Sequence, residues 1–282
     1  MTQAQISPWW RRRWVMPAAV TAWVLVIAGL AYYSYRTDDA TVRDQRSLQQ
    51  AAPVAEAAFG AVLARAAAGP GNGGPRPVIT FESPRIERNC RVTSARDGAE
   101  LTRRATVYIA PEDSAALLDW LAGDDALPAG YRIWLGRDRD SFRVDAGEFV
   151  GLRGVVEEPG VLQVVLSTGC RPVDGPLPEA GDPAPDPASA GLAEGVLASL
   201  GASAARQSVS SVPCPAGGSL STTVVAGPAD QAPALGETLA PRAAEVLVDE
   251  DDRFAFTLSS REGIAVEVAD GEVEVAATTS CV

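Results

Sequence analysis

Residues 155–170 read VVEEPGVLQVVLSTGC, and residues 266–281 read VEVADGEVEVAATTSC. The two stretches align without a gap: Val155 with Val266, Gly160 with Gly271, Val164 with Val275, Thr168 with Thr279 and Cys170 with Cys281. Each reads as a strand, a tight turn and a second strand that ends in a cysteine. The turns are Pro159-Gly160 and Asp270-Gly271, dipeptides that punctuate hairpins. The echo marks the end of a repeated domain. It predicts an α+β fold with an N-terminal transmembrane helix and two tandem, disulfide-stapled α+β domains. Each domain is expected to run helix, strands, helix, antiparallel strands.

Upstream of each hairpin the pattern continues. Pro53 opens a helix expected over 54–68, and Asp186-Pro187 opens one reaching to about residue 204, with proline at a first helical position. Val62-Leu63-Ala64 and Val196-Leu197-Ala198 lie equally far past those prolines. A strand over 105–110 leads into a helix over 111–122, in which Glu112 and Asp113 suit the positive end of the helix dipole. In the second half the corresponding helix follows Pro228 and is weakened by Pro233 and Gly236. Strands are expected at 78–81, 90–92, 131–135, 141–144, 149–156 and 161–167. In the second half they are expected at 208–212, 222–225, 245–248, 254–258, 264–268 and 273–277.

The resulting division is a tail over 1–14, a membrane helix over 15–35, a stalk over 36–52, one repeat over 53–170, a linker over 171–186 rich in Pro, Asp and Gly, and a second repeat over 187–282. Two domains of this size are each large enough to bury a core.

The four cysteines, Cys90, Cys170, Cys214 and Cys281, admit three pairings. The repeat selects Cys90–Cys170 and Cys214–Cys281, one early strand tied to one final strand in each copy. Such bridges belong to an oxidising compartment. By the chain-entropy argument each is worth about 4 kcal/mol. The wide spacing without a CxxC speaks against a redox or metal role.

Residues 15–33, from Val15 to Tyr33, carry no charge and are long enough to span a hydrocarbon core. Trp9, Trp10 and Trp14 flank one end, and Tyr32, Tyr33 and Tyr35 the other, as interfacial aromatic belts do. Arg11, Arg12 and Arg13 precede the run, whereas Asp38 and Asp39 follow it. The positive-inside rule then places the N-terminus in the cytoplasm and residues 37–282 outside. Pro17 is read as lying in the first helical turn. The competing reading is a cleaved signal peptide, with Gly29-Leu30-Ala31 as the small-residue site.

All 24 basic residues are arginine; there is no lysine and no histidine. That excludes a histidine general base, a Schiff-base lysine, a Walker lysine and His-ligated zinc. The first 36 residues hold four arginines and no acid, so the remainder carries 20 arginines against 36 acids. A surface so acidic disfavours nucleic acid and anionic lipid.

Few side chains suggest chemistry. Asp249-Glu250-Asp251-Asp252 lacks the alternation and glycine of a calcium loop and reads as a solvated turn. Glu157 and Glu158 are adjacent on a strand and so point to opposite faces. Arg132, Arg137, Arg139, Arg143 and Arg153 crowd the first repeat, where Asp138, Asp140 and Asp145 are expected to pair with them; these arginines are the candidates for an anionic ligand. Trp120, Trp134, Tyr108 and Tyr131 are confined to the same repeat, with Trp120 expected in the core beside Leu117 and Leu121. No catalytic, cofactor or metal motif is present, and no cofactor is expected. These observations point to a membrane-anchored, non-catalytic binding or interaction protein of the cell envelope, with a protein partner there. The alternatives are a sensor domain for a small ligand and a hydrolase that works through carboxylates alone.

Overall fold

The computed structural model describes residues 9–37, 45–70, 76–123, 127–177, 186–228, 234–279 and 281. Residues 38–44 of the expected stalk, 71–75, 178–185 of the expected linker and 229–233 of the helix after Pro228 lie outside the described residues. The chain divides into two compact units, Met1–Gln45 and Arg46–Val282.

The first unit is the helix α1 (Trp9–Thr37). It begins well before the uncharged run, so Pro17 sits inside it and not in its first turn. The hydroxyl of Thr21 donates to the Pro17 carbonyl at 2.9 Å. Val20, Trp23, Leu25 and Leu30 are more than half exposed along its length.

In the second unit, α2 (Leu48–Ala68) also starts earlier than its proline suggested. Ser47 is the N-cap, and its N–H donates to the Gln50 side chain at 3.3 Å. The N–H of Leu48 donates to the Pro172 carbonyl at 2.9 Å, so a contact distant in sequence anchors the first turn. Pro53 is therefore interior to the helix. By length and composition α2 is apolar enough to cross a membrane, but more than half of it is buried in the protein core. It is the central core helix, with Ala55, Ala58, Phe59 and Leu63 wholly buried.

Two antiparallel sheets follow. The first contains β1 (Val78–Phe81), β2 (Arg85–Thr93), β3 (Arg96–Tyr108), β4 (Arg132–Leu135), β5 (Ser141–Asp145), β6 (Gly151–Glu158) and β7 (Val161–Ser167). Its order is β1-β3-β7-β6-β5-β4, and β2 pairs with the other half of the long strand β3. A 3₁₀ turn (Pro111–Asp113) and the helix α3 (Ser114–Leu121) connect β3 to β4. Val107, Leu118, Phe142, Leu152, Val164 and Leu166 join α2 in one apolar cluster.

The second sheet is preceded by α4 (Pro187–Ser199), whose N-cap Asp186 accepts from the N–H groups of Ala188 and Ser189. It contains β8 (Arg206–Pro213), β9 (Ser219–Pro228), β10 (Glu245–Asp249), β11 (Arg253–Thr257), β12 (Glu262–Ala269) and β13 (Glu272–Thr279), in the order β10-β11-β12-β13-β9-β8. The short helix α5 (Leu235–Leu239) and a 3₁₀ turn (Ala240–Arg242) precede β10. Phe254, Phe256, Ile264, Val266 and Val275 form the second cluster with Val196 and Leu197 of α4.

The two hairpins that opened the reading are β6–β7 and β12–β13. Gly160 takes a φ of 85° after Pro159, as the third residue of a type II turn requires. A side chain there would also meet the Ile109 carbonyl at 2.6 Å. Asp270 and Gly271 both have positive φ, the signature of a type I′ turn. Both disulfides form as expected, Cys90–Cys170 across 80 residues and Cys214–Cys281 across 67.

Arg171, expected as the first residue of the linker, is wholly buried. Its guanidinium donates to the carbonyls of Thr168 at 2.8 Å, Arg46 at 3.3 Å and Glu148. Burial lowers its pKa, and the nearby Glu148 carboxylate partly offsets that. The hydrogen bond to Glu148 holds the β5–β6 turn, where Glu148 and the exposed Phe149 both adopt left-handed φ.

Candidate ligand-binding cleft

The sheets meet along β1. Val78, Tyr108 and Val161 of the first sheet pack on Leu247, Val248, Ala255 and Ala265 of the second. The Ile79 carbonyl accepts from the hydroxyl of Thr278 and, at 3.4 Å, from that of Thr222. The Tyr108 hydroxyl donates to Glu267 at 2.6 Å. Burial, reinforced by the Glu267 charge, pushes the Tyr108 pKa well above its usual value, so the phenol stays a donor. Arg253 joins the seam by pairing with Glu158 at 2.7 Å and Glu267 at 3.5 Å. Glu158 is thus a structural ion-pair partner, whereas Glu157, at the irregularity between Val156 and Glu158 in the β6–β7 pairing, lines the cleft.

A second tie is buried. Arg103 on β3 has a side-chain exposure of only 2%. It donates to the Glu82 carbonyl at 2.9 Å, to the Ser211 carbonyl of β8 at 2.9 Å and to the Glu56 carboxylate of α2. Its guanidinium lies 5.4 Å and 5.3 Å from the rings of Phe59 and Phe81. Burial raises the Glu56 pKa, against the lowering effect of Arg103.

Beside this seam the sheets diverge into a cleft of about 910 Å³. One wall carries Arg85, Arg104, Thr106, Gln163 and Val165 of the first sheet. The other carries Arg206, Ser208, Ala226, Glu267 and Glu274 of the second. The walls are mostly polar, and the second is acidic. Burial and the neighbouring Glu267 raise the Glu274 pKa, while Arg206 lowers it. The volume falls within the range of small-molecule sites.

The arginines singled out in the sequence separate into two groups. Arg132, Arg143 and Arg153 share one solvent face of the first sheet. Arg132 is opposite Asp145 and pairs with it at 2.8 Å, as anticipated. Arg143 and Arg153 are directly opposite one another on β5 and β6. Neither makes an ion pair among the described residues, contrary to the expected pairing. Arg137 and Arg139 lie in the β4–β5 turn, and Arg139 pairs with Asp119 of α3 at 2.9 Å. Asp140 accepts from Ser141 instead of an arginine.

Trp120 is partly buried against the core, donates to the Arg65 carbonyl at 3.0 Å and stacks under the Arg65 guanidinium. Trp134, by contrast, is 51% exposed. Asp249 ends β10 and residues 250–252 form the β10–β11 turn, closed by the Glu250 N–H on the Arg253 carbonyl at 2.8 Å. Among the described residues no group of three His, Cys, Asp or Glu side chains is placed to hold a metal.

Sequence reading missed Arg104, Arg103, Tyr108 and Arg171 as key positions. The strand expected over 105–110 runs from Arg96 to Tyr108, so the period-two alternation that sends Arg103 inward and Arg104 to the cleft lay outside the expected strand.

No family model matches the chain. No curated protein matches it. Among solved structures it is similar to a DUF4853 family protein from Actinomyces odontolyticus, at 14% identity and a TM-score of 0.33, over 64% of this chain and 93% of that one. A likeness of that degree carries no argument about fold or function.

Proposed function

We propose that the chain is a single-pass, membrane-anchored binding protein of the cell envelope, non-catalytic, with residues 37–282 on the extracytoplasmic side. The observation that carries the binding role is the cleft of about 910 Å³ walled by two different sheets. Support for export comes from the pair of long-range disulfides, which persist in oxidising compartments. Support for anchoring comes from α1, whose uncharged stretch presents large apolar side chains that lipid would cover.

The reading includes an internal duplication. The strand orders β4-β5-β6-β7-β3-β2 and β10-β11-β12-β13-β9-β8 correspond position by position. Each copy begins with a helix, inserts a second helix before its fourth-from-last strand and ends in a disulfide-linked hairpin. Duplication accounts for the cleft: two similar sheets pack with one seam and diverge beside it. The size of the cleft also favours a second reading, a receptor domain for a small ligand, which thermal-shift screening with small molecules distinguishes.

The test uses the full chain with an epitope after Val282. It should sediment with membranes, resist alkaline carbonate, and lose the epitope to protease added outside the membrane. An epitope protected until the membrane is opened, or release by carbonate, defeats the reading. Capture from solubilised membranes should enrich one envelope component. Turnover abolished by a single Asp or Glu substitution would instead make the protein an enzyme.

A further inference from the structure

We propose that the solvent face of the first sheet, running from its outer edge into the cleft, binds an extended anionic polysaccharide through Arg143, Arg153 and Arg104, with Trp134 at the outer end. This deepens the binding role proposed above and rests on it.

Register places the residues in one row. Trp134 is opposite Arg143, Arg143 opposite Arg153, Arg153 opposite Val165, and Val165 opposite Arg104. Directly paired residues of antiparallel strands project from the same face. The row therefore crosses five strands, a span of about 19 Å at the usual inter-strand spacing. Arg104 and Val165 form part of the cleft wall, so the row leads into it.

All three arginines are exposed, and none has an ion-pair partner among the described residues. Like charges directly opposite one another destabilise a sheet. Arg143 and Arg153 nevertheless face each other, in a protein whose net charge is −12. Of the acids nearby, Asp145 pairs with Arg132 and Glu100 accepts from Ser167, while Glu157 lines the cleft end of the face, away from Arg143 and Trp134. An anion that bridges the guanidinium groups removes the repulsion.

The chemistry on either side narrows the ligand. Beside the charged row runs a neutral one, with Ser141, Val155, Gln163 and Thr106 in register and the Gln163 amide donating to the Thr106 hydroxyl at 3.0 Å. Hydroxyl and amide groups suit a polyhydroxylated chain, and the half-exposed indole of Trp134 gives a flat apolar face for a sugar ring. Three cations in an otherwise acidic molecule are too few for nucleic acid or an anionic bilayer, both of which demand broader basic surfaces.

The test measures binding of the full chain to polygalacturonate and dextran sulfate, with neutral dextran, oligo-dT and phosphatidylserine vesicles alongside. Both anionic polysaccharides should bind, more weakly as salt rises, and neutral dextran should not. Arg143→Gln with Arg153→Gln should weaken binding at least ten-fold while leaving the melting temperature unchanged or higher. Trp134→Ala should weaken it several-fold, and Arg261→Gln, an exposed arginine elsewhere, should have no effect. The proposal is overturned if neither anionic polysaccharide binds, if the double variant binds like the parent, or if oligo-dT or the vesicles bind as tightly. The parent chain is also scored for protease accessibility in membranes. An accessible parent chain without glycan binding overturns the ligand class alone, whereas an inaccessible parent chain overturns the exported-protein reading.

Discussion

Replacing Arg103 with methionine should loosen the joint between the two sheets. The guanidinium reaches α2, the loop after β1 and β8 at once, through Glu56, the Glu82 carbonyl and the Ser211 carbonyl. Methionine fills much of the volume between Phe59 and Phe81 but donates nothing. The Glu56 carboxylate is then left part-buried without its cation, and breaking a buried pair from one side costs about 3–5 kcal/mol. For a folded unit of this size, about 4 kcal/mol corresponds to a fall in melting temperature of roughly 10 °C. The second arm of the experiment is Arg103→Met with Glu56→Met. Removing both charges leaves the Glu82 and Ser211 carbonyls short of a donor, about 1–3 kcal/mol each, a loss the single variant suffers as well, but it strands no carboxylate. The double variant should therefore be more stable than the single one. Thermal and urea denaturation of the full chain, with disulfides intact, give both numbers. A single variant within about 1 kcal/mol of the parent, or a double variant less stable than the single, refutes the reasoning.

Two further outcomes follow from packing and charge. A methyl group added at Gly60 on α2 would stand 2.0 Å from the Pro213 carbonyl, so Gly60→Ala should force α2 off β8 and cost about 1–3 kcal/mol by denaturation. Gly191→Ala on α4, with open space around it, should be neutral or stabilising by up to about 1 kcal/mol; equal effects at the two sites would contradict the seating of α2. Glu274 has its pKa raised by burial and by Glu267, so its contribution to stability is present below the ordinary value of 4.5 and lost as pH rises through the raised one. The melting temperature of Glu274→Gln relative to the parent should accordingly climb as pH rises from 4.5 and then level off. A difference that stays flat or falls would show that the carboxylate is not strained in the cleft.

Much of the secondary structure was legible because it is locally encoded. Period-two apolar patterns with Pro-Gly and Asp-Gly turns marked β6–β7 and β12–β13, and strands β1 and β7 were read to the residue. The echo between the two hairpins also selected the observed disulfides from three pairings. Helix starts were less legible. Pro53 signals a first turn, but the Leu48 N–H finds the carbonyl of Pro172, more than 120 residues away, and the helix begins there. The candidate site was legible only in part. Composition flagged Arg143 and Arg153, but not that they face each other, since cross-strand register depends on how two distant strands align. Arg104 was overlooked because its role depends on which sheet face meets the second sheet.

The sequence by itself determined most of the strands, the hairpin turns, the staples and the apolar N-terminal run. Each depends on neighbours within a few residues or on a pattern stated twice. The β2–β3 hairpin is the exception, since only 90–92 and 105–108 of it were expected as strand. Only the tertiary structure decided that β1 would seat on the second sheet, that Arg103 would be buried while Arg104 lined a cleft, and that three arginines and a tryptophan would fall in one row. Those outcomes depend on which apolar faces find each other and on backbone register between strands far apart in the chain, and neither is written in any local stretch.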